Sequence, residues 1–212
     1  MNALTIHELA KGFRRKRMQL FLKKFTLTPE TTILDVGGFH KFWKESGITA
    51  KVTILRLEGP EKLPADCPPN FTSIQGNGCD LREHADKSFD IVFSNSVIEH
   101  VGDFEPQMRF AKETARVGKS YWVQTPAVEF PIEPHLLVPF YHFMPRALQE
   151  RCFRFTTWGL LRPDRATLQE YHDHARAYLL SRRKLKIMFP DAEIMTERVL
   201  GWPKSYTVVH QE

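Results

Sequence analysis

Nothing in the chain approaches the roughly 18 consecutive apolar residues that a membrane-spanning helix needs. Its first residues also lack the apolar core of a signal peptide, so a cytoplasmic protein is expected. Cysteine is scarce. Cys67, Cys79 and Cys152 are far apart and odd in number, which supports neither a disulfide framework nor a zinc site. His172 and His174 flank Asp173, but residues two apart on a helix face different directions, and no metal is expected there. Glycine is thin too: no Gly-x-Gly-x-x-Gly opens a helix after Asp35, and Phe39 to Phe42 contain none. A nicotinamide dinucleotide needs that turn to bring its pyrophosphate against the backbone. Repeats and low-complexity tracts are absent as well.

What is present suits a single globular domain over residues 1–212, with 42% hydrophobic residues and enough length to bury a core. The net charge of +5 is unevenly placed. Met1 to Phe25 carries seven Lys or Arg against one acid, and Arg146 to Lys186 carries ten against four, while the body between them is acidic. Such basic flanks suit a phosphate-bearing partner or an anionic membrane surface; a solvated helix face is the plainer account.

Leu9, Phe13, Met18, Phe21, Leu22 and Phe25 recur at helical spacing with basic residues between them, which predicts an amphipathic helix over 1–25. It either packs on the body or makes peripheral contact with a membrane. Buried strands are predicted at Thr32–Val36, Lys51–Leu57, Phe71–Gln75, Phe89–Phe93 and Ser120–Thr125. A short helix falls at Phe42–Ser46 and a longer one at Phe104–Arg116. Four prolines between Gly59 and Pro69 make that stretch a loop. Strands alternating with helices imply an α/β fold with a doubly wound, mostly parallel sheet. From Pro126 to Pro145 come five prolines and Phe130, His135, Phe140, Tyr141, His142 and Phe143, read as an inserted cap over 126–160. Ala166 to Phe189 is expected to be helical, and Ala192–Thr196 and Ser205–His210 alternate as strands.

Thr32-Ile-Leu-Asp35-Val-Gly37-Gly38, followed by Asp86-Lys-Ser-Phe-Asp-Ile-Val-Phe-Ser94-Asn95-Ser96-Val-Ile-Glu-His100-Val101, resembles class I S-adenosylmethionine-dependent methyltransferases of the small type 11 kind. The resemblance covers Thr31 to Thr125 well. It implies a Rossmann-like seven-stranded sheet completed by a C-terminal antiparallel hairpin, with S-adenosylmethionine as cofactor. By that resemblance Asp35 lies near the donor's ammonium, with Gly37 and Gly38 giving it room; Phe39 and Lys41 stand where further glycines are usual. Arg56 takes the place of the usual ribose-binding acid, leaving Glu58 to reach the ribose and Leu57 to line the adenine. Asn77 and Gly78 align with the pair at the adenine edge, with Asp80 as competitor, and Ser94, Asn95 and Ser96 face the sulfonium end.

Methyl transfer to oxygen needs positioning and removal of the acceptor's proton. Histidine suits proton removal because it titrates near neutrality. His100 and His135 are the candidate bases, with His142 and Glu133 behind them. The expected activity is methylation of a small or medium acceptor, with O-methylation of a glycan or secondary metabolite favoured by the aromatic cap. Two alternatives stand beside it. A nucleic-acid methyltransferase is supported only by the basic flanks and has no Asn-Pro-Pro-aromatic or paired-cysteine signature, so a nucleic-acid partner is not expected. A non-catalytic interaction domain would account for Phe39, Lys41 and Arg56.

Overall fold

In the computed structural model, residues 3–44, 46–133, 136, 138–156, 160 and 177–212 are described. Helix α1 (Ala3–Lys24) leads to strand β1 (Thr32–Val36), a short helix α2 (His40–Lys44), β2 (Lys51–Arg56) and β3 (Phe71–Gln75). Next come β4 (Phe89–Asn95), a 3₁₀ turn over Ile98–His100, α3 (Phe104–Val117) and β5 (Gly118–Pro126). After the cap, with α4 (Arg146–Cys152), the chain closes with α5 (Arg182–Met188), β6 (Glu193–Val199) and β7 (Trp202–His210).

The seven strands form one sheet in the order β3-β2-β1-β4-β5-β7-β6. β1 to β5 run parallel; β7 is antiparallel to both β5 and β6. The chain moves outward from β1 to β3, then returns to lay β4 on the other side of β1. That reversal leaves a crevice at the carboxyl ends of β1 and β4, where open sheets of this type hold their ligands.

Alternate residues of each strand face opposite sides, and each side has its own core. Leu34, Val36, Val92, Val123 and Phe110 pack with Leu185 and Phe189 under α3 and α5. Ile33, Ile54, Phe93 and Trp122 pack with Trp43 and with Met18, Phe21 and Phe25 of α1. The Phe21 ring lies 5.2 Å from Phe93 and 5.6 Å from Trp122. Those apolar residues of α1 are therefore engaged in the core, while Lys11, Arg14, Arg15 and Lys16 stay exposed. Asp90 ties strands together: one oxygen accepts from Thr32 N and Thr32 Oγ1, each at 2.8 Å, and the other meets Lys119 at 2.7 Å. The Lys119 ammonium, with help from the Thr32 donors, holds the Asp90 carboxyl down at about 2.

The strand and helix expectations hold from β1 to β5 within a few residues. The expected helix over Ala166–Phe189 requires correction where it is described: residues 177–180 are extended and the helix begins at Arg182. The reason is pairing. Tyr178 N donates to Glu99 O at 2.7 Å, and Val128 N donates to Leu180 O at 3.1 Å, so these backbone groups are already engaged. Ser181 then caps α5 by accepting from Lys184 N. Residues 166–176, with His172 and His174, lie outside the described residues.

The cap carries a small core of its own, Leu136, Tyr141 and Phe153. Tyr141 Oη donates to Gln149 O at 2.9 Å, and Gln149 Nε2 returns to Tyr141 O and Met144 O. These bonds fold α4 back on the preceding turn. Among the described residues no helix is long and apolar enough to cross a membrane.

Candidate active site

β1 ends at Val36, and Gly37 N donates to Leu55 O of β2 at 2.8 Å, which starts a tight turn. Gly37 has φ +77°, a conformation that L side chains rarely adopt, and a Cβ there would lie 2.6 Å from the Val97 side chain. At Gly38 the obstruction is Asp35: a Cβ would fall 1.7 Å from its Oδ2. The two glycines thus let the turn fold over Asp35 on one side and against Val97 on the other. They also bring the Asp-Val-Gly-Gly segment into contact with the Ser-Val-Ile-Glu-His segment after β4.

Asp35 is 1% exposed. Its Oδ2 accepts from Trp43 Nε1 at 2.6 Å, and its Oδ1 is buried with no hydrogen-bond partner. Burial pushes the carboxyl up to about 7; the Trp43 bond works against that shift, and the nearby Glu61 adds to it. A buried carboxylate with an unsatisfied oxygen is costly in the empty fold and suited to a cation. Trp43→Phe removes the donor on the other oxygen. Loss of a charge-assisted bond of this kind costs about 2 kcal/mol, and the expected result is a matching drop in urea-unfolding stability at pH 8, where Asp35 is ionised.

Glu61 and His40 pair beside the same turn. Glu61 comes from the proline-rich loop after β2, its own N donating to Ser73 Oγ at 2.6 Å. Its carboxylate accepts from His40 N at 2.9 Å and meets His40 Nδ1 at 2.7 Å. The pair closes the loop onto the first residue of α2, beside the turn. Neither residue stands in a motif, and only the three-dimensional return of the loop joins them.

The other expected cofactor positions share the carboxyl edge of the parallel strands but differ in what they do. Ser94 is fully buried, and its hydroxyl donates to Val36 O at 3.2 Å, holding β4 to β1. Ser96, at φ 58°, donates to Gln124 Oε1 at 3.0 Å. Asn95 ends β4 between them, half-buried.

At the β2 end, Arg56 rests its guanidinium 4.6 Å from the centre of the Phe39 ring, a cation–π contact. Leu57 is 68% exposed and Glu58 is exposed in the following turn. Beyond β3, Asn77 Oδ1 is engaged by Cys79 N at 2.9 Å. Gly78 admits Val36 and Phe110, either of which a Cβ there would strike. Asp80 turns outward to Arg82, an ion pair of 2.7 Å. Beside the turn, Asp35 thus presents a buried carboxylate oxygen without a partner, whereas the end of β2 presents Arg56 over Phe39 with exposed Leu57 and Glu58.

His100 is exposed on the 3₁₀ turn, and His135 lies outside the described residues. Between the start of α3, the exit of β5, the cap and residues 177–179 lies a cavity of about 590 Å³. His142 lines it. Its Nε2 is 3.0 Å from Val128 O, and its Nδ1 is buried without a partner. A carbonyl can only accept, so Nε2 carries the hydrogen and Nδ1 keeps its lone pair. Glu133, buried, also lines the cavity and accepts from Leu136 N.

The fold and this carboxyl-edge crevice are those of a Rossmann-like methyltransferase. The family model described as a methyltransferase domain matches residues 47–121, a span that begins after the Gly37-Gly38 turn. No curated protein sequence matches the chain. Solved structures do. A SAM-dependent methyltransferase from Archaeoglobus fulgidus is 13% identical, with 100% of both chains covered and a TM-score of 0.60. The PH0226 protein of Pyrococcus horikoshii is 16% identical over 93% of this chain and 90% of that one, with a TM-score of 0.55. A phosphoethanolamine N-methyltransferase 2 from Haemonchus contortus, solved with phosphomonomethylethanolamine and S-adenosylhomocysteine, is 14% identical. It covers 86% of this chain and 39% of its own, with a TM-score of 0.57. At such identities the structures speak for the fold alone. The chain thus has the fold of S-adenosylmethionine-dependent methyltransferases and, over residues 47–121, is similar to their methyltransferase-domain family, whose cofactor is S-adenosylmethionine.

Proposed function

We propose that the enzyme methylates a hydroxyl of a small or medium acceptor, a glycan or secondary metabolite, bound in the cavity beneath the cap. The observation that carries this reading is His142, whose ring is fixed by Val128 O with an unpartnered Nδ1 at that cavity. An oxygen nucleophile must lose its proton and an amine acceptor arrives able to lose one to water, so a preset imidazole lone pair favours oxygen.

The donor supplies a methyl group on a sulfonium, open to in-line attack by a nucleophile. In this reading Asp35 Oδ1 takes the donor's ammonium across the Gly37-Gly38 turn, while Ser94, by holding β4 to β1, keeps Asn95 and Ser96 at the crevice between the strands. Glu58 is the carboxylate available to the ribose, and Arg56 over Phe39 forms the wall beside it. His142 Nδ1 takes the acceptor's proton and gives it up to solvent afterwards.

His142→Gln keeps an amide donor for Val128 O and removes the base. Loss of a general base costs about 10²- to 10⁴-fold. Once an acceptor is found by screening hydroxyl compounds for transfer of a labelled methyl group, kcat is expected to fall by about a hundredfold or more in this variant. Donor affinity should be unchanged. Undiminished kcat would remove His142 from the chemistry; base-labile label would indicate a carboxylate acceptor and not a hydroxyl.

A further inference from the structure

The β6–β7 hairpin closes in a tight turn. Val199 pairs with Trp202, and Leu200 and Gly201 between them have φ 50° and 85°. A turn with positive φ at both central positions favours Asn-Gly or Asp-Gly. Leucine is strained in that conformation, and here it is also 96% exposed. Trp202 beside it is 51% exposed. A side chain that the turn disfavours and the fold leaves in water points to a contact made outside the chain.

Helix α1 brings positive charge to this tip. It runs along the hairpin from base to turn: Lys24 meets Glu193 at 2.5 Å, Arg17 meets Glu197 at 3.2 Å, and the Lys204 ammonium lies 3.8 Å from the centre of the Phe13 ring. Lys204 O accepts from Ala127 N at 3.1 Å, just past the end of β5 at Pro126. The part of α1 before Arg17 and the hairpin tip therefore stand together at the carboxyl edge of the sheet. No acid occurs between Lys11 and Lys24. Arg14, Arg15 and Lys16 are exposed, and so is Arg198, which donates to Gly201 O at 2.8 Å. Glu197, the acid nearest the turn in sequence, is already taken by Arg17 and Lys204.

We infer that the hairpin tip and the exposed basic side of α1 form a docking surface for an anionic bilayer, with Leu200 and Trp202 entering the interface and Arg14, Arg15, Lys16 and Arg198 meeting lipid phosphates. Both features match that partner. Tryptophan is enriched at the membrane interface, a leucine gains by leaving water for acyl chains, and each Lys or Arg near an anionic surface strengthens binding about fivefold. A nucleic acid would engage the cations and leave Leu200 in water. A second copy of the chain docked on the same face would set these cations against each other. Docking in this pose turns the carboxyl edge of the sheet toward the bilayer.

The test is co-sedimentation of the full-length protein with vesicles of phosphatidylcholine and phosphatidylserine, beside vesicles of phosphatidylcholine alone. Binding to the anionic vesicles is expected, weakened by salt and stronger than on the neutral ones by about tenfold or more. Leu200→Asn should lower that affinity about tenfold with Tm kept or raised, because Asn-Gly is the preferred pair for this turn. Arg14→Gln/Arg15→Gln/Lys16→Gln should lower it about a hundredfold. Anionic vesicles made with brominated phosphatidylcholine should quench tryptophan fluorescence in wild type and do so less in Trp202→Phe. Equal binding to the two vesicle types, anionic binding that Leu200→Asn leaves unchanged, or no binding by folded protein overturns the inference. So do retention on polyuridylate without retention on vesicles, which assigns the face to nucleic acid, and a dimer that Leu200→Asn dissolves, which assigns it to a second copy.

Discussion

Asp35→Asn is expected to abolish donor binding and to make the fold more stable above neutral pH. Both halves follow from one buried carboxyl. In the folded protein burial raises Asp35 to about 7 against the pull of Trp43, with Glu61 adding to the rise; in the unfolded chain it returns to 3.8. Between those values the folded state holds a proton that the unfolded state has released. Stability therefore falls as pH rises through that window, by at most about 1.4 kcal/mol per pH unit, and levels off above about 7. Below 3.8 the group costs nothing. Asparagine does not titrate, and its oxygen still accepts from Trp43 Nε1, so the variant should lack this slope. Urea unfolding from pH 4.5 to 8.5 checks it: equal slopes in the two proteins would mean that Asp35 is ionised at low pH in the fold. On the proposed donor site the same substitution removes the charge that would answer the donor's ammonium, so a gain in stability is expected to be paired with a loss of function.

Gly38→Ala is expected to cost stability more than any other single methyl added to the turn. Its Cβ would lie 1.7 Å from Asp35 Oδ2 and 2.2 Å from Asp35 Cγ. The carboxylate has little freedom to yield: it is tied to Trp43, which is fully buried and packed edge-on to Phe42 and Phe93 with centroids 5.5 and 4.7 Å away. Either the turn opens or the Asp35–Trp43 bond breaks, and overpacking together with a broken buried bond costs about 3 kcal/mol or more. Thermal unfolding gives the measure. Gly12→Ala is the control, since a Cβ there meets nothing within 4 Å and alanine favours the interior of α1 by about 1 kcal/mol. If Gly38→Ala melts with wild type and still binds donor, the turn is looser than these distances require.

The sheet is legible in the sequence because its strands carry their signal locally. Ile33-Leu34 and Ile91-Val92-Phe93 are buried on both faces, so they read as continuous apolar runs. The short helix after Gly38 reads from the sequence as starting two residues late, at Phe42 and not His40, because its start is set by Glu61 from a distant loop. The same long-range return hides Glu61 itself among four prolines.

Around the proposed donor crevice, family resemblance assigns Asp35 to the donor's ammonium and Ser94 to its sulfonium end but does not give the bonds they make. Only the packed structure reveals that Ser94 bonds Val36 O and that Asp35 keeps one oxygen unpaired. Asn77 and Asp80 illustrate the opposite limit: a side chain that can accept is often claimed by its neighbours, here Cys79 N and Arg82. The proposed base is similar. His100 stands in the strongest motif and is exposed, whereas His142 stands in a run of aromatics and owes its fixed tautomer to Val128 O, fourteen residues away in sequence. The extended segment at 177–180 reads as helix because its residues favour one; pairing with Glu99 and Val128 overrides that preference.

The central claim, that Asp35 beneath the Gly37-Gly38 turn holds the methyl donor, is tested most directly by calorimetric titration with S-adenosylmethionine at pH 5.5 and pH 7.0, on wild type and Asp35→Asn. Saturable binding by wild type is expected, tighter at pH 7.0 by up to about tenfold per pH unit because the carboxyl must give up its proton, with proton release at pH 5.5 and no binding by the variant. Binding that is absent from folded wild type, or equally strong in Asp35→Asn at both pH values, would contradict it.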